Sequence, residues 1–297
     1  MNTSEFYSLL CCPNCRGDLE LRDAEEEFFC PACRFAFPIV DGIPVLFPCN
    51  VKEKMGELFS RYWDAESMAV LYDTNVQGEG DAFGIYNHES ELYGLMQQYE
   101  PSKLDLVLDA GCGNGRFFET FPASSVKIGI DASLNLLRRT KTRKRGDFLV
   151  CGELEHLPFK DSIFGTVISC RVLQHLRRQN EAVIEMARVT RDKGDLILEL
   201  YNTWNLKTLY KQIRMTGNLR KILNAPFRLL FRSMSPFDTW GLEYDRYNWW
   251  FQVKRWMRRA RLYGFEGRGV GFGYHKYFLQ PFYVDAVLEK KAPNLRR

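Results

Sequence analysis

The stretch Val107-Leu108-Asp109-Ala110-Gly111-Cys112-Gly113-Asn114-Gly115-Arg116 constrains this chain more than any other. A short apolar run over 104–108 closes in an acid and three alternating glycines, and helix signals follow to about residue 121. This reads as a buried strand feeding a tight turn that opens a helix. Glycines are needed there because the turn is sharp and a ligand must lie close to the backbone. The bare glycine pattern would also suit a dinucleotide enzyme or a simple tight turn. Asp109 argues against a dinucleotide, because a pyrophosphate on helix N–H groups would be repelled by an acid at the head of the loop. A positively charged amino group would suit it.

The loop opens an alternating series. Strand patterns lie at 104–111, 126–131, 147–152, 165–170 and 194–201, with helical patterns over 133–145 and 179–190 between them. Two last strands are expected at 265–272 and 282–290. Strands alternating with helices predict an α/β fold, a Rossmann-like seven-stranded and mostly parallel sheet with helices on both faces. Upstream, residues 51–74 and 88–99 have helical patterns, separated by a glycine-rich loop over 77–84. The spacing divides the chain into a module over 1–49 and a larger domain over 50–297.

Acids recur at the strand ends. Asp131 closes the second strand, where such folds place an acceptor for ribose hydroxyls. Glu153 follows the third strand, within reach of an adenine amino group. The segments VLDAGCGNGRF, IGIDAS, GELEHLPFKDSIFGTVIS and VLQHL resemble, in order, the motifs of class I S-adenosylmethionine (SAM) dependent methyltransferases, in particular the group that includes ubiquinone and menaquinone methyltransferases. The resemblance covers about residues 104–200. It implies SAM as cofactor, with Asp109, Gly111, Gly113 and Gly115 around its methionine part. It also implies Asp131 on the ribose, Ala132 beside the adenine, Glu153 and Leu154 on the adenine edge, and Cys170 lining the methyl-transfer mouth. Two positions depart from the pattern: Glu153 stands where Asp is frequent, and Gly165 where an Asp is common.

Cys12-Pro-Asn-Cys15 and Cys30-Pro-Ala-Cys33 form two C-x-x-C knuckles 14 residues apart. Four thiolates so spaced close a tetrahedral zinc site, which is coordinatively full and therefore structural. A module of this size needs such a staple to fold alone. Cys11 is the less suitable neighbour of Cys12, because the spacing favours Cys12. LLCCPNCRGDLEL and FPIVDGIPVL resemble the Trm112-like zinc ribbons. Members of that family accompany methyltransferases as partner proteins or are fused to them, which implies a docking or stabilising role and a protein partner through the ribbon.

Residues 1–202 carry 22 Lys and Arg against 31 Asp and Glu, whereas residues 203–297 carry 19 against 6. The basic last third suggests an anionic partner or a solvated basic face. Residues 203–262, rich in Trp, Leu, Phe, Lys and Arg, are expected to form a helical insert that walls the acceptor pocket, with an anionic membrane surface as one possible contact. Residues 254–265 read as an amphipathic helix with its arginines outward. No run of about 18 apolar residues suggests a membrane span. The start of the chain lacks a signal-peptide pattern, so a cytoplasmic setting, at most peripheral to a membrane, is expected.

Methyl transfer from a sulfonium needs chiefly alignment, and a base only for a weakly nucleophilic acceptor. His175, just after the fourth strand, is the best-placed candidate base, with a hydrogen-bonded structural role as the alternative; His88, His156 and His275 have weaker claims. The expected acceptor is small, or lipid- or glycan-linked. An RNA base is the runner-up, disfavoured because the ribbon carries only Arg16, Arg22 and Arg34 against Asp18, Glu20, Asp23 and Glu25 to Glu27, and the basic stretch lies far from it in sequence. A non-catalytic adaptor is the third reading.

Overall fold

The computed structural model describes residues 1–49, 105–170, 172–176, 178–200, 255–256, 258–260, 266–269 and 282–287. The expected helices over 51–74 and 88–99, the loop over 77–84 and most of the insert over 203–262 lie outside the described residues.

The chain opens with helix α1 (Thr3–Ser8), started by a capping box. The Asn2 side chain accepts from the Glu5 amide at 2.9 Å, and the Glu5 carboxylate accepts from the Asn2 amide at 2.7 Å. Strands β1 (Glu20–Arg22), β2 (Glu27–Cys30), β3 (Phe35–Val40) and β4 (Ile43–Pro44) follow as a four-stranded antiparallel meander. Asp41 and Gly42 turn β3 into β4 with φ of 53° and 71°. Two consecutive positive values suit the twist of a two-residue hairpin, and Asp-Gly adopts them readily.

The large sheet comprises β5 (Leu106–Ala110), β6 (Val126–Asp131), β7 (Phe148–Cys151), β8 (Phe164–Cys170), β9 (Thr190–Leu200), β10 (Glu266–Gly269) and β11 (Phe282–Val287). Their spatial order is β7-β6-β5-β8-β9-β11-β10. Only β11 runs antiparallel to its neighbours. Helices α2 (Leu134–Thr142) and α3 (Gln179–Val189) fill the crossovers after β6 and β8. The chain leaves β5 for β6 on one side and returns to β8 on the other. The carboxyl end of β5 is therefore the switch point of the sheet, where ligands bind in such folds.

Two local expectations change. The helix anticipated to about 121 is only a 3-10 turn over Arg116–Thr120. Pro122 holds Phe121 in extended backbone, with φ −89° and ψ 145°. Too few residues then remain after Gly115 for a stable α-helix. Strand β9 begins at Thr190 rather than near 194, pairing with Phe164 before a register shift carries it on to Thr166.

The ribbon and the large sheet share one apolar core. Phe6, Leu10, Phe28, Phe37 and Leu46 are buried with Leu108, Ile128 and Val150. Phe6 stacks on Phe148 of β7 with ring centroids 4.4 Å apart. Val45 bridges Cys151 in parallel register, and the Leu46 amide donates to the Cys151 carbonyl at 2.7 Å. The ribbon's tail thus continues the sheet beyond β7, an edge whose unpaired backbone groups would otherwise face water. In the described part of 254–265, Trp256 and Ala260 pack on this core while Arg255, Arg258 and Arg259 stay exposed. Among the described residues no helix is long and apolar enough to cross a membrane.

Candidate functional site

The glycine loop is pinned at the switch point by its own backbone. The Gly111 and Cys112 amides both donate to the Ile130 carbonyl of β6, at 2.8 and 3.1 Å. Gly111 has φ 87°, and a Cβ there would meet the Val172 side chain at 2.3 Å, so a larger residue is excluded twice over. Gly115 repeats the argument, with φ 76° and a Cβ position 2.7 Å from Thr140. Asp131 ties the loop to the next strand end: one carboxylate oxygen accepts from the Gly113 amide at 2.8 Å and the other from the Ser133 amide at 2.9 Å. Thr140 of α2 donates to the Gly113 carbonyl at 3.0 Å. Ala132, between Asp131 and Ser133, is half-buried, and its carbonyl accepts from the Cys151 thiol.

Asp109, next to last in β5, stands before this loop and is 1% exposed, yet neither of its carboxylate oxygens has a hydrogen-bond partner. Burial pushes its carboxyl up to about 8; Arg116 works against the rise and Asp131 adds to it. A buried acid left this way is costly, unless a cationic or hydrogen-bond-donating ligand completes it.

Glu153 shows the same signature at the other end. It is 5% exposed. Its Oε1 accepts from the His156 Nδ1 at 2.5 Å and lies 3.8 Å from the Arg178 guanidinium. Its Oε2 is buried with no partner. His156 is held above the ordinary histidine range, first by its bond to Glu153, with burial opposing. Sequence reasoning gave His156 only a weak claim as a base. The signal that finds it is the Glu-x-x-His spacing on a 3-10 turn, where residues i and i+3 eclipse.

The Leu154 side chain is buried in the main core, so only its backbone is left for an adenine edge. Cys170, which ends β8, is 5% exposed and packs with Val107, Cys112 and Ile168 under the loop. His175 closes the 3-10 turn Leu173–His175, its amide donating to the Val172 carbonyl at 2.9 Å. Val172 is the residue that packs on Gly111, so His175 stands one turn from the glycine loop. The carboxyl edge of the sheet therefore gathers Asp109, the glycines, Asp131, Glu153 and the turn bearing His175. This set fits SAM: an uncompensated acid for the ammonium, an acid beside the middle of the site for the ribose, and an open carboxylate oxygen for the adenine amino group.

The Sγ atoms of Cys12, Cys15, Cys30 and Cys33 lie within 4.8 Å of one another. Two separations are 3.8 Å (Cys12 to Cys33) and 3.6 Å (Cys15 to Cys30). Four thiolates at ~2.3 Å from one zinc stand ~3.8 Å apart in a tetrahedron, so the cage has the size of a zinc site. The two knuckles match: Arg16 and Arg34, each just past a second cysteine, have φ of 62° and 53° and donate to the carbonyls of Cys12 and Cys30. Cys11 is buried outside the cage formed by the other four thiols.

A family model described as a methyltransferase domain matches residues 108–198, and one described as Trm112p-like protein matches residues 4–42. A malonyl-[acyl-carrier protein] O-methyltransferase of Erwinia pyrifoliae is 28% identical over 165 residues, 51% of this chain and 63% of that one. A UPF0434 protein of Dechloromonas aromatica is 53% identical over 50 residues, 17% of this chain and 86% of that protein. The chain spans less than two thirds of the methyltransferase-like curated relatives it matches, 63% in the Erwinia enzyme and 64% in a protein of Encephalitozoon cuniculi. Among solved structures, a complex of the Haloferax volcanii Trm112 methyltransferase activator with a methyltransferase superposes with a TM-score of 0.51 at 12% identity, over 82% of this chain and 99% of that one. The sheet with its glycine loop and the cysteine cage coincide with the two matched stretches, so the chain carries a methyltransferase domain over 108–198 behind a Trm112-like ribbon over 4–42.

Proposed function

We propose that this protein binds SAM across the carboxyl edge of its sheet and transfers the methyl group to a small, or lipid- or glycan-linked, acceptor. The observation that carries the reading is the pair of buried carboxylates with unpartnered oxygens, Asp109 in β5 and Glu153 just past β7, at the carboxyl edge of one sheet. Asp109 takes the methionine ammonium, and its high carboxyl pKa falls when the cation arrives. Gly111, Gly113 and Gly115 let the methionine chain lie on the backbone. Asp131 takes the ribose hydroxyls. Glu153 and the Leu154 backbone take the adenine edge. SAM supplies the electrophilic methyl group; the chain's residues align it and exclude water. His175, one turn from the loop, takes the acceptor's proton where the acceptor is weakly nucleophilic. The Erwinia relative's name supports an oxygen acceptor on a carried metabolite. The ribbon, with a structural zinc on its four cysteines, acts in cis as the separate Trm112 activator does for its partner.

Isothermal titration of SAM against the wild-type chain and Asp109→Ala tests the cofactor. Tight binding by the first and weak binding by the second are expected; absence of binding by the wild type refutes the reading. Transfer of label from methyl-labelled SAM to fractionated lipids, glycans, carrier-linked acyl groups and RNA then identifies the acceptor class. Labelling of RNA alone would overturn the acceptor part.

A further inference from the structure

We propose that His156 is a positioning residue that orients Glu153 to read the adenine amino group, and that protonation of His156 tunes how strictly the site demands adenine. The inference rests on the SAM-binding reading above and deepens it.

The geometry is asymmetric. Of the two Glu153 oxygens, Oε1 is occupied by the His156 Nδ1 at 2.5 Å, with the Arg178 guanidinium 3.8 Å away, whereas Oε2 is buried without a partner. A carboxylate held by one oxygen cannot rotate freely, so Oε2 is presented in one direction. A single well-aimed acceptor beside an adenine distinguishes an exocyclic amino group, which donates, from a carbonyl, which repels it. Buried polar groups left mismatched give strong discrimination. His156 is partly exposed, so bulk solvent exchanges its proton, while the carboxylate it grips is nearly sealed.

Among the described residues, few charged groups surround His156. Glu153 and Glu155 lie on its own turn; Arg178, Glu181 and Glu185 approach from the start and body of α3. Arg178 is already paired with Glu181 at 2.6 Å, and Glu185 is held by Arg188 and Arg16. Among the described residues the imidazolium is thus the nearest cation to Glu153. The bond to Glu153 keeps the imidazole protonated above its ordinary range. As pH rises through that raised value, the ion pair becomes a neutral contact and the hold on Oε1 weakens.

The test measures S-adenosylhomocysteine and S-inosylhomocysteine binding by calorimetry at several pH values between 6 and 9. The ratio of the two dissociation constants cancels the methionine end, including Asp109. The wild type is expected to prefer the adenine compound by about tenfold or more, the scale of one hydrogen bond to a charged group. His156→Ala should lose at least about threefold of that preference and its pH dependence. His156→Asn places an uncharged donor near the Nδ1 position; it should keep most of the preference near neutral pH while flattening its decline at high pH. Thermal melts of all three confirm folding. A His156→Ala variant that keeps the wild-type preference and pH profile overturns the proposal, as does equal binding of both compounds by the wild type. If the wild type binds neither compound, the cofactor reading itself has failed.

Discussion

Asp109 is the residue whose chemistry links stability to ligand binding. Its carboxyl stands at about 8 in the fold because burial outweighs the help of Arg116, against ~3.9 in an unfolded chain. Between those values the folded state holds a proton that the unfolded state does not, so stability declines as pH rises from about 4 toward 8. Asp109→Asn removes this dependence and should raise the melting temperature of the ligand-free protein at pH 8. The same variant should bind SAM about tenfold or more weakly, having lost a charge-assisted contact. An ammonium beside Asp109 favours its ionised form, so SAM binding near pH 7 should release a proton and strengthen with pH up to about 8. Calorimetry in two buffers of different ionisation heat reads that proton directly; zero release would refute the contact. Gly111→Ala is the steric counterpart. It should cost about 1–3 kcal/mol through forced positive φ, with the Val172 clash in addition, and Val172→Ala should relieve only the second part, as urea titration would show.

At the scale of elements, the ribbon is a cover for β7. Val45 and Leu46 pair with Cys151, and Phe6 stacks on Phe148. The cysteine cage holds the knuckles from which these contacts extend: Cys11 donates its amide to the Pro158 carbonyl at 3.0 Å, and Lys160 donates its amide to the Leu9 carbonyl at 2.9 Å. Those contacts grip the segment 157–160 that follows Glu153 and His156. Cys30→Ser should therefore abolish zinc binding, measured by metal analysis, and lower the melting temperature by about 5 °C or more, since roughly 2 kcal/mol corresponds to that shift in a domain of this size. Re-addition of zinc to chelator-treated protein should restore the wild type but not the variant. An unchanged melting temperature after metal loss would show that the cage does not support the shared core.

Across the whole molecule, one ion network joins the ribbon to the methyltransferase domain. Glu185 of α3 accepts from Arg188 at 2.8 Å, from Arg16 of the first knuckle at 2.7 Å and from the Leu157 amide at 3.1 Å. Arg188 also reaches Asp161 and the carbonyls of Leu157 and Phe159. The Glu185 and Arg188 side chains are nearly sealed, whereas Arg16 is 59% exposed on its side chain. Glu185→Ala should cost more, about 3 kcal/mol, because it breaks a buried pair and leaves Arg188 with only the exposed Asp161 as a counter-charge. Arg16→Ala should cost only about 0.2–1 kcal/mol, as an exposed pair does. A chemical-denaturation double-mutant cycle checks both; equal costs would contradict the burial difference.

The local features were legible in the sequence because the chemistry that needs them is local. Glycine spacing, the acids at strand ends, the two C-x-x-C knuckles and the strand–helix alternation all lie within a few residues of one another. Among the described residues these elements lie close to where they are expected, apart from a helix shortened by Pro122 and a strand β9 that begins earlier, at Thr190. The basic last third was legible as charge, and Arg255, Arg258 and Arg259 do face solvent. The tertiary structure alone decided what meets across distance. Arg16 and Glu185 are 169 residues apart, and no periodicity marks them as partners. Nothing local in Val45 or Leu46 specifies the edge of β7, because a strand's pairing partner is chosen by register and burial after collapse. The Leu154 side chain packs in the core, a burial that its place just after β7 does not by itself announce. His156, a weak candidate in the sequence, gained its place only when a 3-10 turn set it against Glu153 and burial left one carboxylate oxygen open. The chain by itself thus determined a Rossmann-like methyltransferase domain behind a zinc ribbon; folding decided that the two share one core and which oxygens are left for a ligand.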